Sequence, residues 1–345
     1  MKNSCWTMEK IEKIIKINRR KPEKEKIEAA AQIIKKGGIV VFPTETVYGI
    51  GASAFNERAI KRLYKIKGRP LDNPSIIHIA RKKDIYDIAD ISKKDKEIIE
   101  KLVKKFWPGP LTLVVKNKKI PAAATAGLDT VAVRMPANKI ALELIKRSGP
   151  IAAPSANISG KPSGTSIEML KELAEKVDLI INGGESKIGL ESTVFDIRTK
   201  KILRPGKISP EQLSKILKEK VTKIKKILKK PRSPGMKYKH YSPDAKVIVL
   251  FGSKNKIEKF IEKMINKKFR IGAILLKKIK IKDEKVNIKF VKNLDDYAKN
   301  LFKFFRKFDE MKCDVIICEG VKEKGIGHAI MDRFKKASEK LIKLK

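Results

Sequence analysis

The chain has 345 residues, of which 81 are Lys or Arg and 39 are Asp or Glu, so its formal charge is +42. Because 42% of the residues are hydrophobic, a wholly disordered polycation is excluded, and the length predicts two domains rather than one. There is no run of 18 apolar residues, the N-terminus lacks the apolar stretch of a secretory signal, and the three cysteines form neither a disulfide framework nor a zinc pattern. We therefore expect a soluble protein of the reducing cytoplasm with no membrane partner.

The positive charge is spread along the whole chain. Lysine supplies 67 of the 81 cations and arginine 14, whereas surfaces dedicated to phosphates and bases rely on the arginine fork. We interpret most lysines as solvated faces rather than as a nucleic-acid surface. Their field would still attract polyanions such as ATP or tRNA, which leaves weak tRNA binding open.

The first two thirds of the chain predict an α/β unit, because segments with helical periodicity alternate with short apolar runs. The predicted helices cover 26–35, 57–66, 82–89, 94–106, 139–147, 165–176 and 210–218. The predicted strands cover 39–42, 75–79, 111–116, 131–135, 151–153, 179–181, 193–197 and 201–203. Thr165 and Glu168 have the spacing of a capping box, which predicts the start of the sixth helix.

The pattern breaks down over 219–244, a segment rich in lysine and proline that we interpret as a linker between domains. Beyond it, apolar runs alternate again with helical periodicity, which predicts a small Rossmann-like α/β domain. Its predicted strands cover 246–251, 270–276, 287–291 and 314–318, and its predicted helices cover 255–266 and 295–308. The predicted organisation is therefore a catalytic domain at 1–218, a linker at 219–244 and a second domain at 245–345.

Several common catalytic signatures are absent, namely the P-loop, the HExxH zinc motif and the GxSxG nucleophile motif. Residues 49–54 fit the pattern GxGxxA, but no clean strand precedes them and no helix clearly opens on them. We regard this as a weak dinucleotide fingerprint.

Two other segments carry candidate anion-binding groups. Lys67 and Arg69 flank a glycine where a helix ends, so they either oppose the negative end of the helix dipole or hold a polyphosphate. The turn-rich segment 70–74 that follows favours the second interpretation. Loop 154–165 is longer than an ordinary connection and rich in hydroxyls, so we favour an anion-binding loop over a plain strand-to-helix connection.

Arg134 lies in an apolar run that predicts a buried strand, and a buried cation requires a partner. It could form a structural ion pair or clamp a substrate carboxylate. The three histidines, His78, His240 and His328, have no metal-ligand spacing, so core or hydrogen-bonding roles are the default for each.

The remaining motifs follow in a recognisable order. They are FPTETVYG at 42–49, Lys67-x-Arg69, Asp72-Asn73-Pro74, WPGPLT at 107–112, AGLDTVAVRMP at 126–136, APSAN at 153–157, Glu191-Ser192-Thr193, PGMKYKHY at 234–241 and GIGHAIMDR at 325–333. Together they resemble the YrdC-type threonylcarbamoyl-AMP synthases, and the last two resemble the longer, two-domain branch of that family.

The resemblance implies a YrdC-like twisted mixed sheet with helices in the N-terminal domain. It implies a nucleotidyltransferase that converts L-threonine, bicarbonate or CO2, and ATP into threonylcarbamoyl-AMP and pyrophosphate. A separate tRNA threonylcarbamoyl transferase complex would then use the product to modify the adenosine next to the anticodon. Mg2+ is expected with the triphosphate, although no protein ligand can be assigned to it.

The resemblance also implies roles for individual residues. Four are expected to be catalytic, namely Lys67, Arg69, Ser155 and Asn157. The expected ATP contacts are Lys67, Arg69, Asn73, Thr130, Ser155, Ser163, Arg204 and Tyr238. The expected L-threonine pocket comprises Thr46, His78, Arg134, Ala153 and Ser192, with Arg134 on the amino-acid carboxylate.

The segment 219–244 also predicts a lid, because it carries a dense aromatic and cationic cluster at 236–241 that a passive tether would not need. We expect it to fold over the nucleotide, with Tyr238 against ATP, and to exclude water from the labile carbamate and anhydride. The alternative is a surface linker whose tyrosines pack on one domain.

Two rival functions remain open from the sequence. One is an RNA-binding module of the same fold without synthase activity. The other is a carbamoyl-transferring hydrogenase-maturation enzyme, since those enzymes contain a YrdC-like unit. The second rival would need additional acylphosphatase and zinc-finger regions, and this chain has no cysteine-rich zinc pattern.

Overall fold

The computed structural model describes residues 13–224 and 241–344 and contains two β-sheets with helices packed against them. The predicted α/β class, with a mixed sheet followed by a second, smaller sheet, is confirmed. In the described part of the chain, no helix combines the length and apolar character needed to cross a membrane.

Within the described residues, the first sheet has twelve strands. They are β1 Ile14–Lys16, β2 Val40–Phe42, β3 Gly49–Ser53, β4 Ile76–His78, β5 Ala89–Asp90, β6 Leu111–Asn117, β7 Thr130–Arg134, β8 Ile151–Ala152, β9 Leu179–Asn182, β10 Thr193–Asp196, β11 Lys201–Arg204 and β12 Thr222–Lys223. Their order across the sheet is β1-β9-β2-β3-β8-β4-β7-β6-β10-β11-β12, with β5 paired to β6. The sheet is mixed, because β4 and β7 are parallel whereas β6 and β7 are antiparallel.

Eight helices accompany this sheet in the described residues. They are α1 Lys24–Lys35, α2 Glu57–Lys67, α3 Ile85–Ile88, α4 Lys93–Phe106, α5 Ala122–Thr125, α6 Lys139–Ser148, α7 Lys171–Ala174 and α8 Pro210–Leu217. Helix α2 begins after Asn56, whose side chain accepts a hydrogen bond from the Ala59 amide, and it ends at Gly68 in the left-handed conformation. This ending places Lys67 and Arg69 on either side of the turn.

Three predicted segments differ in the structure. The helix predicted at 82–89 is reduced to a 3-10 turn, Lys82–Asp84, followed by the short α3. Residues 49–53 form strand β3 rather than a phosphate loop, so the GxGxxA pattern is not a dinucleotide fingerprint. The helix predicted at 165–176 is reduced to a 3-10 turn, Ile167–Leu170, followed by the short α7. The predicted capping box is wrong, because the buried Thr165 hydroxyl donates to Met169 Sδ at 3.3 Å instead of capping a helix.

In the part of the chain that the structure describes, the second sheet has five strands, all parallel. They are β13 Lys246–Phe251, β14 Ile271–Leu275, β15 Val286–Phe290, β16 Val315–Glu319 and β17 Ser338–Lys343, and the helices are α9 Lys254–Asn266, α10 Leu294–Glu310 and α11 Gly327–Ala337. Numbered within this unit, the strand order is 3-2-4-1-5. The parallel α/β arrangement is Rossmann-like, but the fourth strand is inserted between the second and the first.

The expected linker is described only in part. Residues Thr222–Lys223 form β12, which extends the edge of the first sheet alongside β11. Residues 225–240, which include Tyr238 and His240, lie outside the described part of the chain. The boundaries 1–218, 219–244 and 245–345 therefore stay a prediction.

The two units are in direct contact. Val47, Met169 and Leu190 of the first unit are buried in the same apolar cluster as the core of the second unit. Gly189 lies against helix α10, where an added Cβ would come within 2.4 Å of the Lys299 backbone. Only a residue without a side chain allows this approach of the two backbones.

Gly189→Ala should destabilise the protein by about 3 kcal/mol or more, because it combines an overpacked contact with a positive φ of 80°. Gly127→Ala is a matched control, since Gly127 has a φ of 71° but nothing within 4 Å of its added Cβ. We expect this control to cost only about 1–2 kcal/mol. Chemical denaturation of both variants measures the difference, and equal losses would show that the contact with α10 is not tight.

Candidate functional site

A cavity in the first unit collects most of the candidate residues. The loop between β2 and β3, the end of α2, the strands β4 and β7, the loop after β8 and the end of β11 all contribute to its walls. The lining residues are Thr44, Thr46, Val47, Tyr48, Gly49, Lys67, Arg69, Ile76, His78, Arg134, Ala153, Pro154, Ser155, Asn157, Ser159, Lys161, Glu191, Arg204 and Tyr241.

Lys67 joins the end of α2 to the loop after β8. Its ammonium group donates to the backbone carbonyls of Ser155 and Asn157, each at 2.5 Å. The Ser155 hydroxyl donates to the Asn157 side-chain oxygen at 2.6 Å, so the loop is held by its own side chains as well. Burial lowers the pKa of Lys67 well below its usual range, and the Arg69 guanidinium adds to this shift. Negative charge from a ligand would favour the protonated form.

Arg69 fixes the turn that follows α2. Its Nε donates to the Asn73 carbonyl at 3.0 Å, and one terminal nitrogen donates to the Asn73 side-chain oxygen at 2.8 Å and to the Pro74 carbonyl at 2.7 Å. Asn73 therefore orients Arg69 from behind the cavity wall. The interpretation that Lys67 and Arg69 only oppose the negative end of the helix dipole does not account for the hydrogen bonds of Arg69 to Asn73 and Pro74.

Arg134, at the end of β7, forms a buried ion pair. One of its terminal nitrogens lies 2.6 Å from Glu45 Oε1, and its Nε donates to the Gly109 carbonyl at 3.2 Å. The other carboxylate oxygen of Glu45 is buried and has no hydrogen-bond partner among the described residues. The structural ion pair considered for Arg134 is present, and because Arg134 also lines the cavity, a second role in binding a carboxylate is compatible with it.

His78 is held neutral. Its Nδ1 lies 3.2 Å from the Ile76 carbonyl, so this nitrogen carries the proton and Nε2 keeps a lone pair. Burial lowers the pKa of His78 to about 3, and the nearby Arg134 guanidinium contributes. The ring can accept a hydrogen bond from a ligand through Nε2 at neutral pH.

His78 should make the free energy of unfolding depend on pH. Its folded pKa of about 3 lies below the unfolded value of about 6.5, so the unfolded state binds the extra proton between these limits. Stability is fully present above about pH 6.5 and falls by up to about 1.4 kcal/mol per pH unit as the pH drops through this window. Urea titrations at several pH values between 4 and 7 measure the free energy of unfolding. This free energy should depend less steeply on pH in His78→Gln than in the unsubstituted protein. Identical slopes would contradict a buried neutral histidine.

Arg204, at the end of β11, forms another part of the wall. Its Nε donates to the Ser192 carbonyl and a terminal nitrogen donates to the Ser192 hydroxyl, both at 3.1 Å. Ser192 in turn shares a 2.7 Å hydrogen bond with the Thr112 hydroxyl. Ser192 thus supports Arg204 rather than facing the cavity itself.

Glu191 is the only carboxylate that lines this cavity among the described residues. One oxygen accepts a hydrogen bond from the Ser163 hydroxyl at 2.5 Å, and the other accepts from Arg333 of the second unit. Burial on its own would raise the pKa of Glu191, but the Arg333 and Arg204 guanidiniums outweigh it and the pKa lies below its usual range. Glu191 is therefore ionised at neutral pH.

The structure brings nine of the predicted site residues to the cavity wall. These are Thr46, Lys67, Arg69, His78, Arg134, Ala153, Ser155, Asn157 and Arg204. Three others lie behind the wall and hydrogen-bond to residues on it, namely Asn73, Ser163 and Ser192. Thr130 does not line the cavity and lies at the opposite end of β7 from Arg134. The assigned roles of all these residues stay predictions, and Tyr238 lies outside the described residues.

Ten of the nineteen lining residues were not predicted as site residues, among them Glu191 and Tyr241. Glu191 belongs to a motif quoted for the resemblance, but nothing in the sequence shows that this carboxylate faces a cavity. Tyr241 is the last residue of the cluster at 236–241, and burial raises its pKa to about 12. Its ring is packed against Phe302 of the second unit, with ring centroids 5.4 Å apart, and nothing in the sequence identified this partner.

The described residues contain no group of three His, Cys, Asp or Glu side chains that could hold a metal ion. The single lining carboxylate, Glu191, is already engaged by Arg333 and Ser163.

Comparison with known proteins decides the family. The family model described as telomere recombination, covering Sua5, YciO and YrdC proteins, matches residues 32–206. The model described as the C-terminal domain of threonylcarbamoyl-AMP synthase matches residues 208–339. The chain belongs to the two-domain YrdC/Sua5 family. The resemblance seen in the sequence motifs is thereby confirmed.

Relatives in the YrdC/Sua5 family match over nearly the whole length. A threonylcarbamoyl-AMP synthase of Pyrococcus abyssi is 46% identical, covering 93% of this chain and 96% of that protein. One from Bacillus subtilis is 41% identical, covering 90% and 92% respectively. The crystal structure of P. abyssi Sua5 complexed with L-threonine is 44% identical, covers 96% of this chain and 99% of that one, and superposes with a TM-score of 0.89.

Proposed function

We propose that this chain is an L-threonylcarbamoyladenylate synthase, which converts L-threonine, bicarbonate or CO2, and ATP into threonylcarbamoyl-AMP and pyrophosphate. The family supports this activity, since its full-length relatives carry the name threonylcarbamoyl-AMP synthase.

The observation that carries the proposal is a set of four buried cations around one cavity. The exposed fractions are 1% for Lys67, 9% for Arg69, 3% for Arg134 and 4% for Arg204. Among the described residues, no carboxylate lies within ion-pair distance of Lys67 or Arg204, whereas Arg134 is paired with Glu45. Buried cations without carboxylate partners favour an anionic ligand, and a triphosphate together with an amino-acid carboxylate meets this demand.

The chemistry divides between the walls. The threonine amine captures CO2 as a carbamate, and a carbamate oxygen then forms a bond to the α-phosphorus while the bond to pyrophosphate breaks. In this proposal Lys67 and Arg69 stabilise charge on the phosphates, and Arg134 holds the threonine carboxylate. The His78 Nε2 lone pair can accept a hydrogen bond from the substrate. No protein nucleophile is required, so catalysis rests on positioning and electrostatics.

We expect Mg2+ to arrive as the counterion of the triphosphate, because Mg2+ retains several waters and binds substrate phosphates readily. A tRNA threonylcarbamoyl transferase complex that consumes the product, weak direct binding of tRNA and a cytoplasmic location are further parts of the proposal.

The test is pyrophosphate release by the purified protein. Release should require ATP, L-threonine and bicarbonate together, and omission of any one should abolish it. Release from ATP without threonine, or no release when all three are present, would contradict the proposed function. In the second case, retained tRNA binding would favour the RNA-binding alternative.

A further inference from the structure

Arg333, on helix α11 of the second unit, reaches into the first unit. Its side chain is fully buried, and its Nε and one terminal nitrogen donate to the same oxygen of Glu191 at 3.1 and 2.8 Å. The other terminal nitrogen donates to the Pro205 carbonyl and to Asp332, both at 2.8 Å. All the nitrogens of the guanidinium are thus engaged, which fixes its orientation.

Glu191 connects this arginine to the cavity. The carboxylate lines the cavity wall together with Lys67 and Arg204, and its other oxygen is bonded to Ser163. The guanidinium of Arg333 also lies over the ring of the lining residue Tyr241, 5.0 Å from its centroid. Arg333 itself does not line the cavity, so it acts through its neighbours.

The negative charge of Glu191 has the same sign as the charge of the proposed triphosphate ligand. A buried carboxylate on a wall that faces a triphosphate repels it, and low local polarity strengthens this repulsion. Arg333 supplies the compensating positive charge at hydrogen-bond distance. Removing one partner of such a buried pair leaves an uncompensated charge, which is costly.

We propose that Arg333 is a positioning residue for ATP: it neutralises and orients Glu191, so that the second unit completes the nucleotide wall of the first. The inference rests on the proposed function, because it assumes that the ligand of this wall is the triphosphate. It gives the second unit a direct part in substrate binding beyond stabilising the fold.

The test compares binding of a non-hydrolysable ATP analogue and of L-threonine to full-length variants by calorimetry. Arg333→Met should lower the affinity for the analogue about tenfold or more and change the affinity for threonine by no more than about threefold. The reason is that only the polyanion lies against the uncompensated carboxylate. Adding Glu191→Gln to Arg333→Met should restore most of the lost affinity for the analogue, because the unpaired negative charge of Glu191 is then absent.

Arg306→Met is the matched control. Arg306 is another largely buried arginine of the second unit that contacts the first, through the Pro162 carbonyl at 3.0 Å and Glu172 at 3.6 Å. Neither Pro162 nor Glu172 lines the cavity among the described residues. This variant should bind the analogue as the unsubstituted protein does.

Three results would overturn the inference. The first is unchanged affinity for the analogue in Arg333→Met. The second is an equal loss of affinity for the analogue and for threonine in both arginine variants. The third is that the affinity for the analogue does not recover in the double variant. If Arg333→Met does not fold, the double variant is compared with Glu191→Gln alone, and a further tenfold loss there overturns the inference. Failure of the unsubstituted protein to bind the analogue and threonine would instead contradict the proposed function.

Discussion

Lys67→Ala should lower the rate of pyrophosphate release by about tenfold or more while the protein remains folded. The substitution removes a cation from the proposed phosphate side of the cavity and also releases the carbonyls of Ser155 and Asn157, which the ammonium group holds. Both effects act on the loop after β8 rather than on an apolar core. Steady-state kinetics at saturating threonine and bicarbonate measures the change.

Lys65→Ala provides the matched control for this prediction. Lys65 lies in the last turn of the same helix but is exposed to solvent. Its removal should leave turnover within about twofold, because exposed charges at this distance are screened by solvent and salt. Unchanged pyrophosphate release in Lys67→Ala, with circular dichroism showing a folded protein, would refute the phosphate-binding assignment.

Arg134→Ala should raise the apparent Michaelis constant for threonine by about tenfold or more and change that for ATP much less. A residue that binds the threonine carboxylate contacts the amino acid alone, so the Michaelis constants for the two substrates should respond differently. The substitution also leaves Glu45 buried without its partner, which costs about 3–5 kcal/mol of stability. Kinetics should therefore be measured well below the unfolding midpoint of the variant.

The double variant Arg134→Ala/Glu45→Gln separates the two consequences. It removes the unpaired charge, so stability should recover substantially while threonine binding stays weak. Recovery of threonine binding together with stability would show that Arg134 serves only as a structural partner of Glu45. A loss of ATP affinity with unaltered threonine affinity would mean that the pocket is mislabelled.

Most helices and central strands could be predicted because their signals are local. Helix α4 carries apolar residues on one face after an N-cap Ser92, and α2 ends at Gly68 in the left-handed conformation that glycine favours. The strands β6 and β16 are short apolar runs, which is typical of strands buried on both faces.

Several other strands could not be predicted in the same way. Strand β17, with the sequence SEKLIK, is largely polar and gains its conformation from pairing with β13, which lies far away in the sequence. Strand β3 is rich in glycine, and at Gly51 an added Cβ would lie 2.6 Å from Ile151. The close approach of a neighbouring strand explains this composition, and only the tertiary structure reveals it.

The candidate site shows the same division. Motifs identified the cations Lys67, Arg69 and Arg134, because charged residues beside apolar strands and helix ends are visible in the sequence. Which residues face the cavity and which stand behind it depends on packing. Asn73 and Ser163 have the same polar character as Ser155, yet they orient other side chains instead of lining the wall.

The pairing of Glu191 with Arg333 has a consequence for folding during translation, because 142 positions separate the two residues in the chain. A ribosome that adds about 5–20 residues per second needs roughly 7–30 s to make the intervening chain. During that interval the emerging first sheet holds a carboxylate whose cation does not yet exist. In a synchronised translation reaction, tight retention of ATP should therefore appear only after the second sheet has been made and folded.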